Sequence, residues 1–558
     1  MRPTTLAAVA AVSLAGLLFA LPSRGAYTPP AEGTALAVAT DHAEASRAAL
    51  DALQNGGNAV DGAVAAALAL GVVNPSASGL GGGGFAIVWL AKEQRAVAVD
   101  FREVAPAALD PSALASPDKR GAAVGVPGEP AGLEYLVARW GKRSLAADAA
   151  FAVGLAVRGF PAGHHLVQML GVLPPDRLRP LAAAAPDLMP GGAPVGFRGL
   201  VRRPDLARSI ARLGVDGAKP FYTGDIAQRI ADAVRATGGA MTAQDLAAYR
   251  VKERAPLSRT IGGRTIVTMP APSAGGLMLL EAATMYGADD RSPLKAMGFG
   301  SSAYLHTLAE VMRGAVADRV RLVGDPDVEP GVDAAIAAAL DPAQLAARRA
   351  KILPDKTRAA TEFKTREEGT SHLVVADAEG NVVSMTTTIN LPFGARVVPA
   401  GTGILLNDEL LDFSLPSEEK EYGLTTPGPN RARGGARPVS SMTPTIVLEG
   451  GAPVLALGGS GGRRIATEVT QAALARLVFG MDPSACVSAP RVFTNGKDTS
   501  VEPDIALDVR KGLEARGETV SLEPPYAPAV QMVAWERAGA TRLLAASDPR
   551  KAGFALAQ

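Results

Sequence analysis

Residues 368–390 read E-G-T-S-H-L-V-V-A-D-A-E-G-N-V-V-S-M-T-T-T-I-N. Val374 and Val375 on one side, and Val382, Val383 and Met385 on the other, flank the polar segment Asp377-Ala378-Glu379-Gly380-Asn381. That is the pattern of two short strands joined by a turn. A turn pairing Asp377 with Gly380 brings Thr370 opposite Thr387, with Thr386 and Thr388 beside it. A glycine, a threonine at a strand start and a hydroxyl-rich partner strand then lie together.

This arrangement permits a specific chemistry. Gly369 has no Cβ, so its carbonyl is open to approach at low steric cost. The Thr370 hydroxyl can attack that carbonyl and move the acyl group from nitrogen to oxygen, and water can release the ester. Cleavage makes Thr370 a chain N-terminus, whose α-amine, with a reference pKa of about 7.7–8.0, can take the proton from its own hydroxyl. The same residues also suit an ordinary surface hairpin in which the threonines serve strand propensity. The rest of the chain must decide between the two.

Size and composition narrow the field. The 558 residues suffice for two or three ordinary domains or one large fused core. With 56 basic and 55 acidic side chains and no basic block, nothing electrostatic points to nucleic acid or polyphosphate as partner. The aromatic fraction of 4% argues against an aromatic-lined binding platform. The many alanines and glycines suit tightly packed helices and glycine-shaped loops.

Residues 1–25 have the layout of an export signal: Arg2, an apolar or small run from Leu6 to Leu21, then Pro22-Ser23-Arg24-Gly25-Ala26. Cleavage after Gly25 is expected, a retained single-span anchor being the rival. The protein is therefore expected outside the cytoplasm, periplasmic or secreted. Cys486 is the only cysteine, which excludes an intramolecular disulfide framework and suits a small buried hydrophobe.

Ahead of the hairpin, Leu36–Thr40 reads as a strand and Ala43–Gln54 as a helix stopped at Asn55-Gly56-Gly57. Asn58 with Asp61 forms a capping box before the apolar run Ala63–Val73. The stretch N-P-S-A-S-G-L-G-G-G-G-F at 74–85 enters a strand, the wrong order for a dinucleotide fingerprint, so its glycines serve close backbone approach. After the strand Ala96–Asp100, Arg102 is either a surface ion pair with Glu103 or a fork for a substrate carboxylate. The five histidines, His42, His164, His165, His306 and His372, show no metal-ligand spacing, so no metal and no cofactor is expected.

Beyond the hairpin, Ile404–Leu406 is expected as a strand, and Asn407, Glu409 and Asp412 offer acceptors suited to an ammonium or to a solvated loop. Residues 416–437, containing Tyr422, are long and polar enough to form a lid. The strand Val454–Leu457 runs into G-G-S-G-G-R-R at 458–464 and a helix near Ile465. Without the Lys-Ser/Thr ending of a phosphate loop, this turn better suits an oxyanion.

Taken in order, the motifs resemble the γ-glutamyltransferase family, also called glutathione hydrolases. They run from G-G-N-A-V-D at 56–61 through L-G-G-G-G-F, D-F-R-E, F-Y-T-G, P-S-A-G-G, D-R-V-R-L-V-G-D-P-D, G-T-S-H, G-I-L-L-N-D, S-S-M-T-P and G-G-S-G-G to A-P-R at 489–491. The resemblance implies an α+β, four-layer α-β-β-α N-terminal nucleophile hydrolase fold. It also implies a precursor self-cleaved between Gly369 and Thr370 into a large chain, 26–369, and a small chain, 370–558, interleaved in one core. Thr370 matches the nucleophile, Thr388 its hydrogen-bonding partner, and Gly461 and Gly462 the oxyanion donors. Arg102, with Ser440 and Ser441, matches the group that holds the substrate α-carboxylate; Asp412 and Glu409, with Asn390 nearby, match the receivers of the α-ammonium. Tyr422 resembles the lid tyrosine of bacterial members, its spacing from Asp412 one residue short.

The implied substrate is a γ-glutamyl donor such as glutathione, with water or an amino acid or dipeptide as acceptor. Alternatives of the same fold are a β-lactam side-chain acylase or a poly-γ-glutamate-processing enzyme. An exported binding or scaffold protein is the non-enzymatic alternative.

Overall fold

The computed structural model describes residues 28–116, 118–361, 369–523, 528–537 and 539–558. The expected export signal and the charged segment 362–368 lie outside them. No helix of the described residues is long and apolar enough to cross a membrane.

Two antiparallel seven-stranded sheets form the centre. The first runs Phe554–Ala557, Ala37–Thr40, Gly369–Ala376, Val382–Asn390, Gly83–Leu90, Arg95–Phe101 and Lys252–Arg254. The second runs Ala31–Gly33, Arg542–Ser547, Ala529–Glu536, Ala452–Ser460, Thr445–Glu449, Arg264–Thr268 and Leu257–Ile261. Each sheet holds strands from both sides of Thr370, so the segments before and after it share one core.

The alternation of side chains fixes the layers. From the strand Gly369–Ala376, Leu373 and Val375 join the helices Ala43–Gln54 and Ala59–Val73 in one apolar cluster. Val374 and Ala376 point the other way and meet Leu455, Leu457 and Met532 of the second sheet. Successive side chains of a strand face opposite sides, so a strand with apolar residues at every position must be covered on both. The helices Gly275–Tyr286 and Ile465–Leu477 cover the far side of the second sheet. The result is helix, sheet, sheet, helix.

Several local expectations hold. Asn58 accepts from Val60 N at 2.9 Å and Asp61 N at 3.3 Å, while its own N–H donates to Asp61 at 2.7 Å. The helix begins at Ala59, and every residue through Val73 is buried. Small side chains allow this all-round packing.

Others need correction. Ser371, not Thr370, pairs with Thr387, and the ladder slips between Gly369 and Ser371. The turn is one residue longer than expected: Asp377 N donates to Asn381 O, with Gly380 at φ +84°. A three-residue loop closed by a left-handed glycine moves the register by one. Ile404–Leu406 joins neither sheet, although Ala395 N and Leu406 N make main-chain bonds with Leu406 O and Val397 O. The edge strands Lys252–Arg254 and Leu257–Ile261 carry polar, part-exposed side chains and so had no core pattern to reveal them.

Candidate active site

The slip in the ladder sets Thr370 apart from its neighbours. Gly369 pairs with Asn390 and Ser371 with Thr387, so Thr370 alone faces two residues, Thr388 and Ile389, that bulge from the partner strand. A Cβ on Gly369 would stand 2.4 Å from Asn390 O and 3.0 Å from Ser76 O, so only glycine fits. The Thr370 hydroxyl donates to Gly369 O. Thr388 Oγ1 donates to the same oxygen at 3.0 Å and accepts from Asn390 N at 2.9 Å. The scissile carbonyl predicted from sequence therefore lies under two hydroxyls.

Thr370 opens on a cavity of about 40 Å³, lined also by Ser76, His165, Gly461, Arg464 and Lys551. Gly461 stands at the end of the strand Ala452–Ser460 with φ +127°, and Gly462 follows at φ +61°. A Cβ on Gly461 would meet Pro528 Cβ at 2.0 Å, which again requires glycine. A one-turn helix, Gly462–Arg464, then leads into Ile465–Leu477.

Arg102 ends the first-sheet strand Arg95–Phe101 and is 1% exposed, so the surface-pair reading fails. Its guanidinium bonds to Glu409, to Asp412 at 2.7 Å, and to the carbonyls of Pro438 and Val439 at 3.2 and 3.3 Å. The Arg102 Nη1 to Glu103 distance is 3.7 Å. Burial pushes the Glu103 carboxyl up to about 8, with the Arg102 charge opposing, and pushes Glu409 well above the usual range. Three carboxyls around one guanidinium cannot all stay charged without water, and protons settle the imbalance.

Asn390 links this cluster to Thr370. It pairs with Gly369, and its Nδ2 donates to Asp408 O at 3.2 Å, next to Glu409. Among the described residues, Asn390 Oδ1 and Glu409 Oε2 are buried with no hydrogen-bond partner. Its φ of +67° suits a strand end that must turn sharply.

The remaining expected residues sit around these two groups. Ser440 follows Val439, and its Oγ accepts from Met442 N at 3.1 Å. Ser441 Oγ accepts from Arg319 at 2.9 Å. Tyr422 caps the helix Pro416–Glu421, is buried among apolar residues of the core between and behind the sheets, and does not line the Thr370 cavity. Asn407 is not a ligand in waiting: its amide donates to Gly81 O and Gly125 O and accepts from Gly125 N and Glu409 N, joining three loops.

Sequence reasoning missed four contributors. Asn430 ties the polar segment down, donating to Asp412 O at 2.7 Å and accepting from Val439 N at 3.0 Å. Asn74 and Ser78 both bond Ser371 Oγ, at 2.9 and 3.0 Å; polar residues ahead of a glycine run were the available signal. Lys551 reaches Thr370 O at 2.9 Å from the chain end. The histidines divide as adjacent residues on a helix should, His164 stacking on Phe197 and His165 facing the cavity. Cys486 is buried, and burial pushes its thiol up to about 12, consistent with a structural side chain.

The sequence profile described as Gamma-glutamyltranspeptidase matches residues 45–558. The chain belongs to the γ-glutamyltranspeptidase family. It is 36% identical to "Glutathione hydrolase 2" of Arabidopsis thaliana, with 93% of each chain covered. It is 35% identical to "Glutathione hydrolase proenzyme" of Pseudomonas sp. (strain A14), with 92% of each covered. Among solved structures, a cephalosporin acylase from Bacillus halodurans superposes with a TM-score of 0.82 at 25% identity, covering 100% of this chain and 99% of that one. As a γ-glutamyltranspeptidase family member the chain is an enzyme with a mixed α/β, N-terminal nucleophile hydrolase-like fold.

Proposed function

We propose that the protein is an exported γ-glutamyl hydrolase and transferase that cuts itself between Gly369 and Thr370 and then works through a γ-glutamyl ester on Thr370. The observation carrying this reading is the convergence of the Thr370 and Thr388 hydroxyls on Gly369 O. In maturation, Thr370 Oγ attacks the Gly369 carbonyl carbon. The peptide C–N bond breaks as the nitrogen takes a proton, which frees the Thr370 α-amine, and water then splits the resulting ester into a Gly369 carboxylate and the Thr370 hydroxyl. Residues 26–369 and 370–558 become large and small chains, associated because both contribute strands to each sheet.

In turnover, Arg102 receives the donor's α-carboxylate, with Ser440 and Ser441 beside it. Asp412, Glu409 and Asn390 receive its α-ammonium. Unpartnered acceptors on Asn390 and Glu409 support that reading, because a buried acceptor without a donor is costly. The α-amine of Thr370 takes the proton from its own hydroxyl, the hydroxyl attacks the γ-carbonyl, and the oxyanion falls to Gly461 and Gly462. The donor's amine leaves with a proton, and water or an acceptor amine takes the γ-glutamyl group from Thr370. A cavity of about 40 Å³ is below the usual range for a small-molecule site, so release of Gly369 from Asn390 must enlarge it.

The likeness to a cephalosporin acylase favours a second reading, a side-chain acylase. Arg102 and Asp412 argue for a substrate with a free amino-acid end. Side-by-side hydrolysis of glutathione and a glutaryl amide tests the choice: faster release from glutathione supports the first reading, faster release from the glutaryl amide the second.

A further inference from the structure

Lys551 is a buried cation at the proposed nucleophile. Its side chain is 5% exposed. Nζ donates to Ser460 Oγ at 2.6 Å, to Thr370 O at 2.9 Å and to Asp41 Oδ2 at 3.2 Å. These are three acceptors for three ammonium protons, so the group is fixed rather than swinging. The bulge opposite Thr370 breaks the regular ladder at that residue, and the bond to Lys551 occupies its carbonyl. Asp41 is fully buried and also accepts from Gln531 Nε2 at 2.6 Å, which holds the counter-charge on the Lys551 side.

We propose that Lys551 is the electrostatic positioning residue of Thr370: it pins the main chain of the nucleophile and makes the α-amine freed there less basic. This rests on the reading that Thr370 becomes an N-terminal nucleophile. An α-amine in water titrates near 7.7–8.0 and would be mostly protonated at neutral pH, unable to take a proton from the hydroxyl. A fixed ammonium bonded to the carbonyl of the same residue disfavours a second positive charge on that residue. The other ionisable groups facing the cavity do not substitute for it. Arg464 is paired with Glu523. Burial, with the nearby Lys551 charge, holds His165 well below the usual histidine range, so it is neutral near pH 7. Asp41 acts against Lys551, and its removal has the opposite sign.

The test is the pH dependence of kcat/KM for a γ-glutamyl anilide, measured on chains whose small fragment is shown by mass to begin at Thr370. In Lys551→Met the acid limb moves up by about one unit, and Lys551→Arg restores it. In Asp41→Asn the limb moves down. Coincidence of the matured Lys551→Met limb with wild type overturns the proposal. If that variant does not mature, Asp41→Asn decides: a lowered limb supports the proposal, and an unmoved or raised one overturns it. Failure of the wild type itself to show a Thr370 N-terminus defeats the nucleophile assignment instead, a separate result.

Discussion

Thr388 Oγ1 donates to the carbonyl oxygen of Gly369 at 3.0 Å, and is itself oriented by the N–H of Asn390 at 2.9 Å. A hydroxyl so held polarises the carbonyl that Thr370 would attack. It also faces the oxygen on which negative charge would develop.

Replacing Thr388 by alanine should therefore slow self-cleavage, by about 100-fold if the hydroxyl acts as one oxyanion donor. Thr388→Ser should retain most of the rate. Gel densitometry of precursor against time after refolding reads both. Equal rates in Thr388→Ala and wild type would remove Thr388 from the mechanism.

Gly369→Ala tests the close approach on the other side of the bond. Its Cβ would lie 2.4 Å from a main-chain oxygen, which has no flexible end to move aside. The strand must shift, and precursor should accumulate uncut with a lowered melting temperature. Normal splitting at wild-type stability would show that the strand geometry at this point is not needed.

Arg102→Leu should leave the chain able to split, because Arg102 bonds to the loops of Glu409, Asp412, Pro438 and Val439 rather than to the Gly369–Thr370 peptide. Turnover of γ-glutamyl donors should fall by about 100-fold or more in kcat/KM, the scale of losing a buried charge partner. Removing the cation from buried carboxylates should also destabilise the fold by about 3–5 kcal/mol unless they take up protons. Unchanged kcat/KM would refute a carboxylate-binding role.

Glu129 makes stability depend on pH. Burial raises its carboxyl to about 8, opposed in part by the Gly79 main chain. In the unfolded chain a glutamate titrates near about 4.3. Between those values the folded state binds more protons than the unfolded, so stability falls as pH rises. The contribution is complete below the unfolded value and lost above the folded one. Glu129→Gln should flatten the decline in melting temperature between pH 5 and 8; the same slope as wild type would contradict it.

Much of this was legible in the sequence because it was local. Asn58 and Asp61 announce a capping box within four residues, and the two strands around the turn carry apolar runs, Leu373 to Ala376 and Val382-Val383, on either side of it. The register was off by one because Asp377 to Asn381 closes as a three-residue loop, a choice that Gly380 leaves open in a linear reading. Arg102 was ambiguous for a different reason: its partners lie 307 and 310 residues away. Lys551 could not be found at all, since it meets Thr370 across 181 residues and sits among ordinary charged neighbours. Packing, not motif, brings it there.

The most direct test of the central claim is intact-mass analysis of the purified wild-type protein, with N-terminal sequencing of its smaller fragment. Two chains are predicted, the smaller beginning Thr370-Ser371-His372. A single uncut chain, folded and stable, would contradict Thr370 as the nucleophile and with it the proposed ester mechanism.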